Sequence, residues 1–410
     1  MSARGDKRTV WARPTPPGGD RTAGAVERAA DRLRGAGARR SARREQPMKV
    51  CHYVERESFV SGGIETSIRH QRKALSDADV AVTTDPWDDY DVLHLNVLGP
   101  GSMFHLLRAK RRGIPVVVHT HTTREDFEQS MRFSNTVAPL VDHYTRRVYS
   151  AADLLIAPSE YTHDRLREKG ITTDVRVVTN GLDAGHLDVA AQRERAADDG
   201  FTVMNLGFVF ERKGLSDFVA VGESLSETDF VWYGPQLNGV LQSGAAKRKM
   251  KRSPSNVAFP GFIEDINDAF AEADVFFFPT REENEGISML EAAYCRKPIV
   301  VRDIPTYEHW DDDVHCLKCE TRAEFENAIE RLRADPELRW RLGENARELA
   351  EDHTLDAVRE RLVEVYGDLA DSEGSTVTAP AASRAVQSSL LPYQAIRLWQ
   401  KVSQALYRNE

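Results

Sequence analysis

Two carboxylates stand eight positions apart in Glu283-Asn-Glu-Gly-Ile-Ser-Met-Leu-Glu291, with a glycine between them. The stretch follows an apolar run of strand length, Val275–Pro279, and its second half reads as a helix opening near Ile287. Gly286 permits a tight turn and the close approach of a ligand. The first N–H groups of a helix have no partner inside it, and together with the helix dipole they make an anion site. Glu291 then lies one turn inside, about 6 Å beyond Ile287 at 1.5 Å per residue. An acid on each side of a phosphate site suits a ligand with hydroxyls at both ends of a diphosphate, which is the shape of a nucleotide sugar. A capping acid followed by an ordinary surface glutamate explains the same letters equally well.

Three more stretches carry residue types of the same chemistry. Gly207-Phe-Val-Phe-Glu-Arg212-Lys213-Gly214 puts two adjacent cations in a strand-to-helix loop, where they could neutralise a leaving diphosphate. The phosphate-loop pattern G-x-x-x-x-G-K-[ST] is absent there, and a solvated basic turn is the plain alternative. Ser61-Gly62-Gly63-Ile64-Glu65 offers two glycines that let a phosphate or sugar approach the backbone, or simply a turn. His119-Thr-His121-Thr-Thr-Arg124-Glu-Asp126 ends a buried strand. Two histidines at i, i+2 suggest a metal, but no third ligand lies nearby, so His121 reads as a polar cleft residue or a satisfied structural histidine. His315-Cys316-Leu-Lys-Cys319 resembles half a zinc site without its other half, and Asp311–Asp313 reads as an acidic surface turn.

The elements that must hold these residues alternate. Short β-rich runs begin at Lys49, Asp79, Asp91, Pro115, Asp153 and Val175, separated by helical stretches at 64–75, 103–112, 136–150 and 159–169. The pattern restarts with strands at Thr202, Phe230, Val257, Val275 and Pro298, and closes with helices over 322–334, 337–349 and 355–369. Unbroken apolar strands between helices predict α/β architecture: two doubly wound Rossmann-like units facing a cleft, at 48–185 and 198–370. Residues 1–47 carry 12 Lys and Arg against 5 Asp and Glu and have few large apolar residues, so they read as a disordered basic tail. Translation starting at Met48 accounts for the tail as well. Residues 371–388 read as a low-complexity linker and 389–410 as an amphipathic helix that packs back or lies on a membrane surface. The whole chain of 410 residues has a net charge of −9, so the part beyond the tail is strongly acidic, which disfavours nucleic acid as a partner. Four cysteines fit a reducing cytosol, with Cys51 and Cys295 as core thiols.

Taken in order, these motifs resemble the GT-B glycosyltransferases, specifically the family 4 (group 1) retaining enzymes, from about Met48 to Gly367. Glu283–Glu291 matches that family's E-x7-E signature, and Lys297-Pro298-Ile-Val its continuation. Gly62-Gly63-Ile-Glu65, Ala157-Pro-Ser159-Glu160 and Asn180-Gly181-Leu-Asp183 match its glycine loop and the junctions leading out of its first domain. The resemblance implies donor binding by Gly62, Gly63, Arg212, Lys213, Gly286, Ile287 and Glu291. Within that set Glu291 would hold the ribose and Arg212, Lys213 and the Gly286–Ile287 backbone the diphosphate. It implies catalytic roles for Glu283, against the donor sugar, and His121, beside the transferred sugar, with His119 and Arg124 on the acceptor side. It implies retaining hexosyl transfer without a metal or other cofactor. The family usually has Arg after the glycine at Gly207, where this chain has Phe208, so Arg212 would supply that charge. The wording around His121 and Glu283 is similar to the diacylglycerol glucosyltransferase branch. That implies a lipid or saccharide acceptor and a cytoplasmic enzyme, with attachment to the inner face of the membrane as one option. A basic and aromatic helix at 137–149, with His143, Tyr144, Arg146, Arg147 and Tyr149, reads either as a membrane-facing surface or as an ordinary exposed amphipathic helix. A GT-B-shaped nucleotide-sugar epimerase and a non-catalytic nucleotide-sugar-binding protein are the alternatives.

Overall fold

The computed structural model describes residues 47–121, 134–191, 200–236 and 244–371. Residues 1–46 and 372–410, which hold the basic tail, most of the linker and the C-terminal amphipathic segment, lie outside the described residues, as does Arg124.

The first sheet comprises β1 (Met48–Val54), β2 (Val80–Thr83), β3 (Val92–Val97), β4 (Val116–His119), β5 (Leu154–Ala157) and β6 (Asp174–Val177), in the order β2-β1-β3-β4-β5-β6. Its helices are α1 (Gly63–Ser76), α2 (Pro100–Arg111), α3 (Ser134–Ala151) and α4 (Glu160–Glu168). After α5 (Ala184–Ala191) the second sheet follows. It comprises β7 (Thr202–Leu206), β8 (Asp229–Tyr233), β9 (Val257–Gly261), β10 (Val275–Phe278), β11 (Ile299–Arg302) and β12 (Leu317–Cys319), in the order β12-β11-β10-β7-β8-β9. With it run α6 (Leu215–Ser224), α7 (Gly244–Lys251), α8 (Ile266–Glu272), α9 (Ile287–Tyr294), α10 (Arg322–Ala334), α11 (Pro336–Glu351) and α12 (Leu355–Asp371). Every pairing between these strands is parallel. A parallel sheet needs cover on both faces, which is why β4, β5 and β10 are buried at every residue.

The strand order fixes where a ligand can sit. In the second sheet the chain winds outward in one direction through β7, β8 and β9, and in the other through β10, β11 and β12. The loops after β7 and β10 therefore diverge and leave a crevice at the carboxyl ends of two neighbouring strands. Those are the loops that contain Lys213 and Glu283. In the first sheet the corresponding reversal lies between β1 and β3.

Two findings differ from the sequence reading. First, helix 355–369, read as closing the second unit, packs on the first sheet. Val358, Leu362, Val365 and Tyr366 share a buried cluster with Val50, Val92, Val117 and Ile156. The chain crosses between lobes twice, side by side, where Leu182 N donates to His353 O at 2.8 Å. Gly181 sits at this crossing with φ 76°, and a Cβ there would lie 2.6 Å from Val358. Second, the basic and aromatic helix at 137–149 turns its aromatics inward. Tyr144 and Tyr149 belong to the first lobe's core, and Arg146 binds Asp142. Cys316 and Cys319, the half-site set aside in the sequence, lie in different cores on opposite faces of the second sheet, and burial pushes both thiols up to about 12.

Beneath the crevice of the first lobe, His52 and His94 are register partners on β1 and β3. The hydroxyl of Tyr366 on α12 lies 2.8 Å from His52 Nε2 and 2.7 Å from His94 Nδ1, so it donates to one ring and accepts from the other. His119 stacks 4.1 Å from His121 and 5.8 Å from His94. Burial drives all four histidines to lower pKa, to about 3 for His52 and His121 and well below the usual value for His94 and His119. They stay neutral in the fold, while the unfolded chain protonates them below about 6.5. The stability they allow is thus present above 6.5 and lost as pH falls towards 3. Each proton taken up only on unfolding removes about 1.4 kcal/mol per pH unit, so four remove at most about 5.6 per unit. Thermal unfolding followed from pH 7.5 to 5 should show a steep fall in midpoint below 6.5; a flat profile contradicts a neutral ladder.

Candidate active site

The second-lobe half of the site is a clasp of two loops. Gly214, with φ 89°, caps α6, and a Cβ there would run into Pro279, so the β7 and β10 loops touch. Lys213 Nζ is ion-paired with Glu283, both largely buried, and lies 5.4 Å over the Phe278 ring. Burial alone would raise the Glu283 carboxyl, but the Lys213 and Arg212 charges outweigh it and hold the group below its ordinary value. Arg212 donates from Nη1 to Glu282 O, and Arg281 N donates back to Arg212 O at 2.9 Å. Thr306 Oγ1 donates to Glu283 O at 2.7 Å. The two cations therefore define the shape of the loop as well as its charge.

Gly286, with φ 94°, caps α9, and a Cβ there would stand 2.6 Å from the Tyr307 hydroxyl. Ile287 opens the helix, whose first N–H groups have no partner inside it. Glu291, one turn on, is buried, and burial raises its carboxyl to about 8. Its nearest charged neighbours, Arg69, which lowers that value, and Asp183, which raises it, come from the first lobe and the crossing.

From the first lobe, Gly62 caps α1 with φ 69°, and Gly63 has open space where a Cβ would be. A Cβ on Gly62 would strike the ring of Phe208, which reaches over from the second lobe and stacks at 5.1 Å on Phe210. Phe208 thus fills the glycine loop where a charge was expected from the family pattern. His121 Nε2 lies 3.1 Å from Asn96 Oδ1. His119 is enclosed between His94 and His121, with Gln71 Nε2 3.2 Å from its Nδ1, so it backs His121 instead of lining the cleft.

The residues that sequence reasoning missed are the cross-lobe partners. Ser159 caps α4, its Oγ accepting from Thr162 N at 3.2 Å. The same hydroxyl donates to Asn284 O in the other lobe. Asn284 Nδ2 donates to His121 O at 3.0 Å, and the Glu285 carboxylate accepts from Asn180 N at 2.9 Å and from Thr179 Oγ1. Both letters lay inside the quoted motif. Nothing local distinguishes a side chain that reaches another lobe from one that caps its own helix.

Comparison with known proteins fits this geometry. Residues 85–186 match the family described as Glycosyltransferase Family 4, and residues 189–349 match Glycosyl transferases group 1. The processive diacylglycerol alpha-glucosyltransferase of Acholeplasma laidlawii is 30% identical over 334 residues, 78% of this chain and 98% of its own. This chain is a group 1 glycosyltransferase. The alpha-galactosylglucosyldiacylglycerol synthase of Streptococcus pneumoniae (strain ATCC BAA-255 / R6) is 25% identical over 329 residues, 77% of this chain and 86% of its own. Among solved structures, sucrose-phosphate synthase from Thermosynechococcus elongatus superposes with a TM-score of 0.66 at 17% identity, covering 78% of this chain and 99% of that one. Anabaena HepE in complex with UDP and glucose gives 0.59 at 17% identity, covering 78% and 99%. The glycosyltransferase thus has the GT-B fold of two facing Rossmann-like lobes. Among its described residues no helix is long and apolar enough to cross a membrane.

Proposed function

We propose that the protein transfers a hexose from a UDP- or GDP-sugar to a lipid or saccharide acceptor, with retention at the anomeric carbon and without a metal ion. The names of the two relatives above support a diacylglycerol-type lipid as the acceptor. The observation that carries the reading is the buried Lys213–Glu283 pair beside the start of α9, at the reversal point of the second sheet. In this reading Glu291 holds the ribose hydroxyls, Glu283 the donor sugar, and Arg212, Lys213 and the Gly286–Ile287 backbone the diphosphate. Gly63, open where a Cβ would stand, lets the donor approach the first lobe, while Gly62 is covered by Phe208; His121 stands beside the transferred sugar, and His119 supports its ring. Arg124 keeps the acceptor-side role that the family pattern gives it.

The bond from the sugar carbon to the phosphate oxygen breaks and a bond to the acceptor hydroxyl oxygen forms. The hydroxyl proton leaves with the departing phosphate. Negative charge grows on that phosphate, where Lys213 and the first N–H groups of α9 would stabilise it as it develops. The ammonium of Lys213 has three donors and can serve Glu283 and a phosphate oxygen together.

The enzyme would work in the cytoplasm against the inner face of the membrane. With Tyr144 and Tyr149 in the core, the exposed large aromatics of the first lobe among the described residues are Trp87 (63% exposed) and Phe104 (53%), with Arg108 4.7 Å over the Trp87 ring. Phe208 gives the non-catalytic alternative no support, because it is accounted for by packing on Gly62.

A donor screen tests the reading. The correct nucleotide sugar at 100 times its dissociation constant should stabilise the protein by about 2.7 kcal/mol, read as a thermal shift. Diacylglycerol vesicles supplied with that donor should yield glycosylated lipid with the donor's anomeric configuration. If no UDP- or GDP-sugar shifts the midpoint, the reading is wrong; if a donor binds but only soluble saccharides are glycosylated, the lipid acceptor is.

A further inference from the structure

We propose that Asn284 and Glu285 are positioning residues that latch the donor loop onto the first lobe and so set the arrangement in which transfer outruns hydrolysis. The inference rests on the transfer reading above and deepens it.

Three consecutive residues divide the work. Glu283 turns its side chain into its own lobe, to Lys213. Asn284 and Glu285 turn to the other lobe. The Asn284 amide donates to His121 O at 3.0 Å, and its own carbonyl accepts from Ser159 Oγ and, at 3.3 Å, from Thr162 Oγ1. The Glu285 carboxylate accepts from Thr179 Oγ1 and Asn180 N. His353, from the second crossing, places Nδ1 3.0 Å from Thr179 Oγ1 and 3.7 Å from Glu285. One residue earlier, Glu282 Oε1 accepts from Tyr161 OH at 2.7 Å. A four-residue loop therefore holds the end of β4, the start of α4 and the Thr179–Asn180 turn at once.

These bonds are made out of water: Thr162, Asn180, Asn284 and Glu285 are all buried. A buried polar group that loses its partner carries its full desolvation penalty, so the latch has one satisfied arrangement and poor alternatives. Its position makes it functional. The His121 carbonyl is tied to the residue next to Glu283, so the two groups assigned to the donor sugar, one from each lobe, move as one body. A misplacement of about 1 Å between reacting groups costs on the order of 10²-fold in rate. The same closure excludes water, and water is the competing acceptor.

The test uses the full chain and the donor found by screening. Asn284→Ala, Asn284→Asp and, from the opposite lobe, Thr179→Val are compared for donor Kd, kcat of transfer and donor hydrolysis without acceptor. Donor affinity should stay within about threefold, transfer kcat should fall about 10- to 100-fold, and hydrolysis per transfer event should rise about tenfold or more. Glu285→Gln, which keeps one accepting oxygen, should fall between wild type and Glu285→Ala. Unchanged partition between hydrolysis and transfer, even with a lowered melting point, overturns the inference, because a merely structural contact behaves that way. So does a loss confined to KM. A wild-type protein that turns over no nucleotide sugar overturns the transfer reading itself, whereas an active wild type with unaltered variants overturns only the latch.

Discussion

Replacing Lys213 by alanine should lower transfer by about 10²- to 10³-fold and destabilise the fold by about 3–5 kcal/mol, through two separate causes. The first is loss of a cation aimed at the phosphate where charge develops, an interaction stronger in the transition state than before it. The second concerns Glu283. Its carboxylate is held below its ordinary pKa against a burial effect that pushes the other way. Without Lys213 only the Arg212 charge opposes the burial effect, and a poorly compensated buried carboxylate remains. The double variant Lys213→Met with Glu283→Gln separates the causes. It removes both charges of the pair, so thermal stability should return close to wild type, while transfer stays as low as in Lys213→Ala. The expected signature is a strong non-additivity in melting midpoint and little or none in rate. If Lys213→Ala keeps more than a tenth of the wild-type transfer rate, the pair is structural and the diphosphate lies elsewhere.

The parts of this enzyme that are legible in its sequence are those set by local rules. Alternation of buried strands and helices marks a parallel sheet, because such strands are apolar on both faces. Gly286 and Gly214 announce helix starts that need positive φ, and both have it. Lys213 and Glu283 are 70 positions apart, yet each sits in a loop after an apolar strand, and the strand order makes those loops neighbours. What is not legible is decided between lobes. The apolar stripe on 355–371 fits either sheet; the choice depends on the crossing at Leu182 and on Tyr366 finding two histidines. Tyr144 and Tyr149 look like a lipid face in the sequence and are core in the fold, since side-chain type does not say which way a helix is turned. Phe208 departs from the family's charge and compensates by shape, filling the space over Gly62.

Changing Glu291 to glutamine should make the ligand-free protein more stable at alkaline pH and the enzyme a poor donor binder, and the two effects have one origin. Burial raises this carboxyl to about 8, helped by Asp183 and only partly offset by Arg69. In the unfolded chain it titrates near 4.5. A proton that the fold holds and the unfolded chain releases favours the fold. That stability is complete below 4.5 and is lost, at about 1.4 kcal/mol per pH unit, as pH rises through 8. The histidine ladder acts with the opposite sign below 6.5, so Glu291 dominates the slope between 6.5 and 8. Glutamine cannot titrate, so melting midpoints of the variant should be flat over that range and lie above wild type at pH 8.5. The ribose diol, in contrast, offers two donors and is bound best by a carboxylate. Donor affinity in the wild type should therefore rise about tenfold per pH unit from 6 to 8 and level off above, with one proton released on binding. The glutamine variant should lose that slope and bind about 10- to 100-fold more weakly at pH 8.5, the loss of a charge-assisted bond. Calorimetry with a nucleotide sugar, whose diphosphate does not titrate in this range, measures both the affinity and the proton. A pH-independent dissociation constant, together with a lower midpoint in the variant, would remove Glu291 from the ribose and make it an ordinary buried acid.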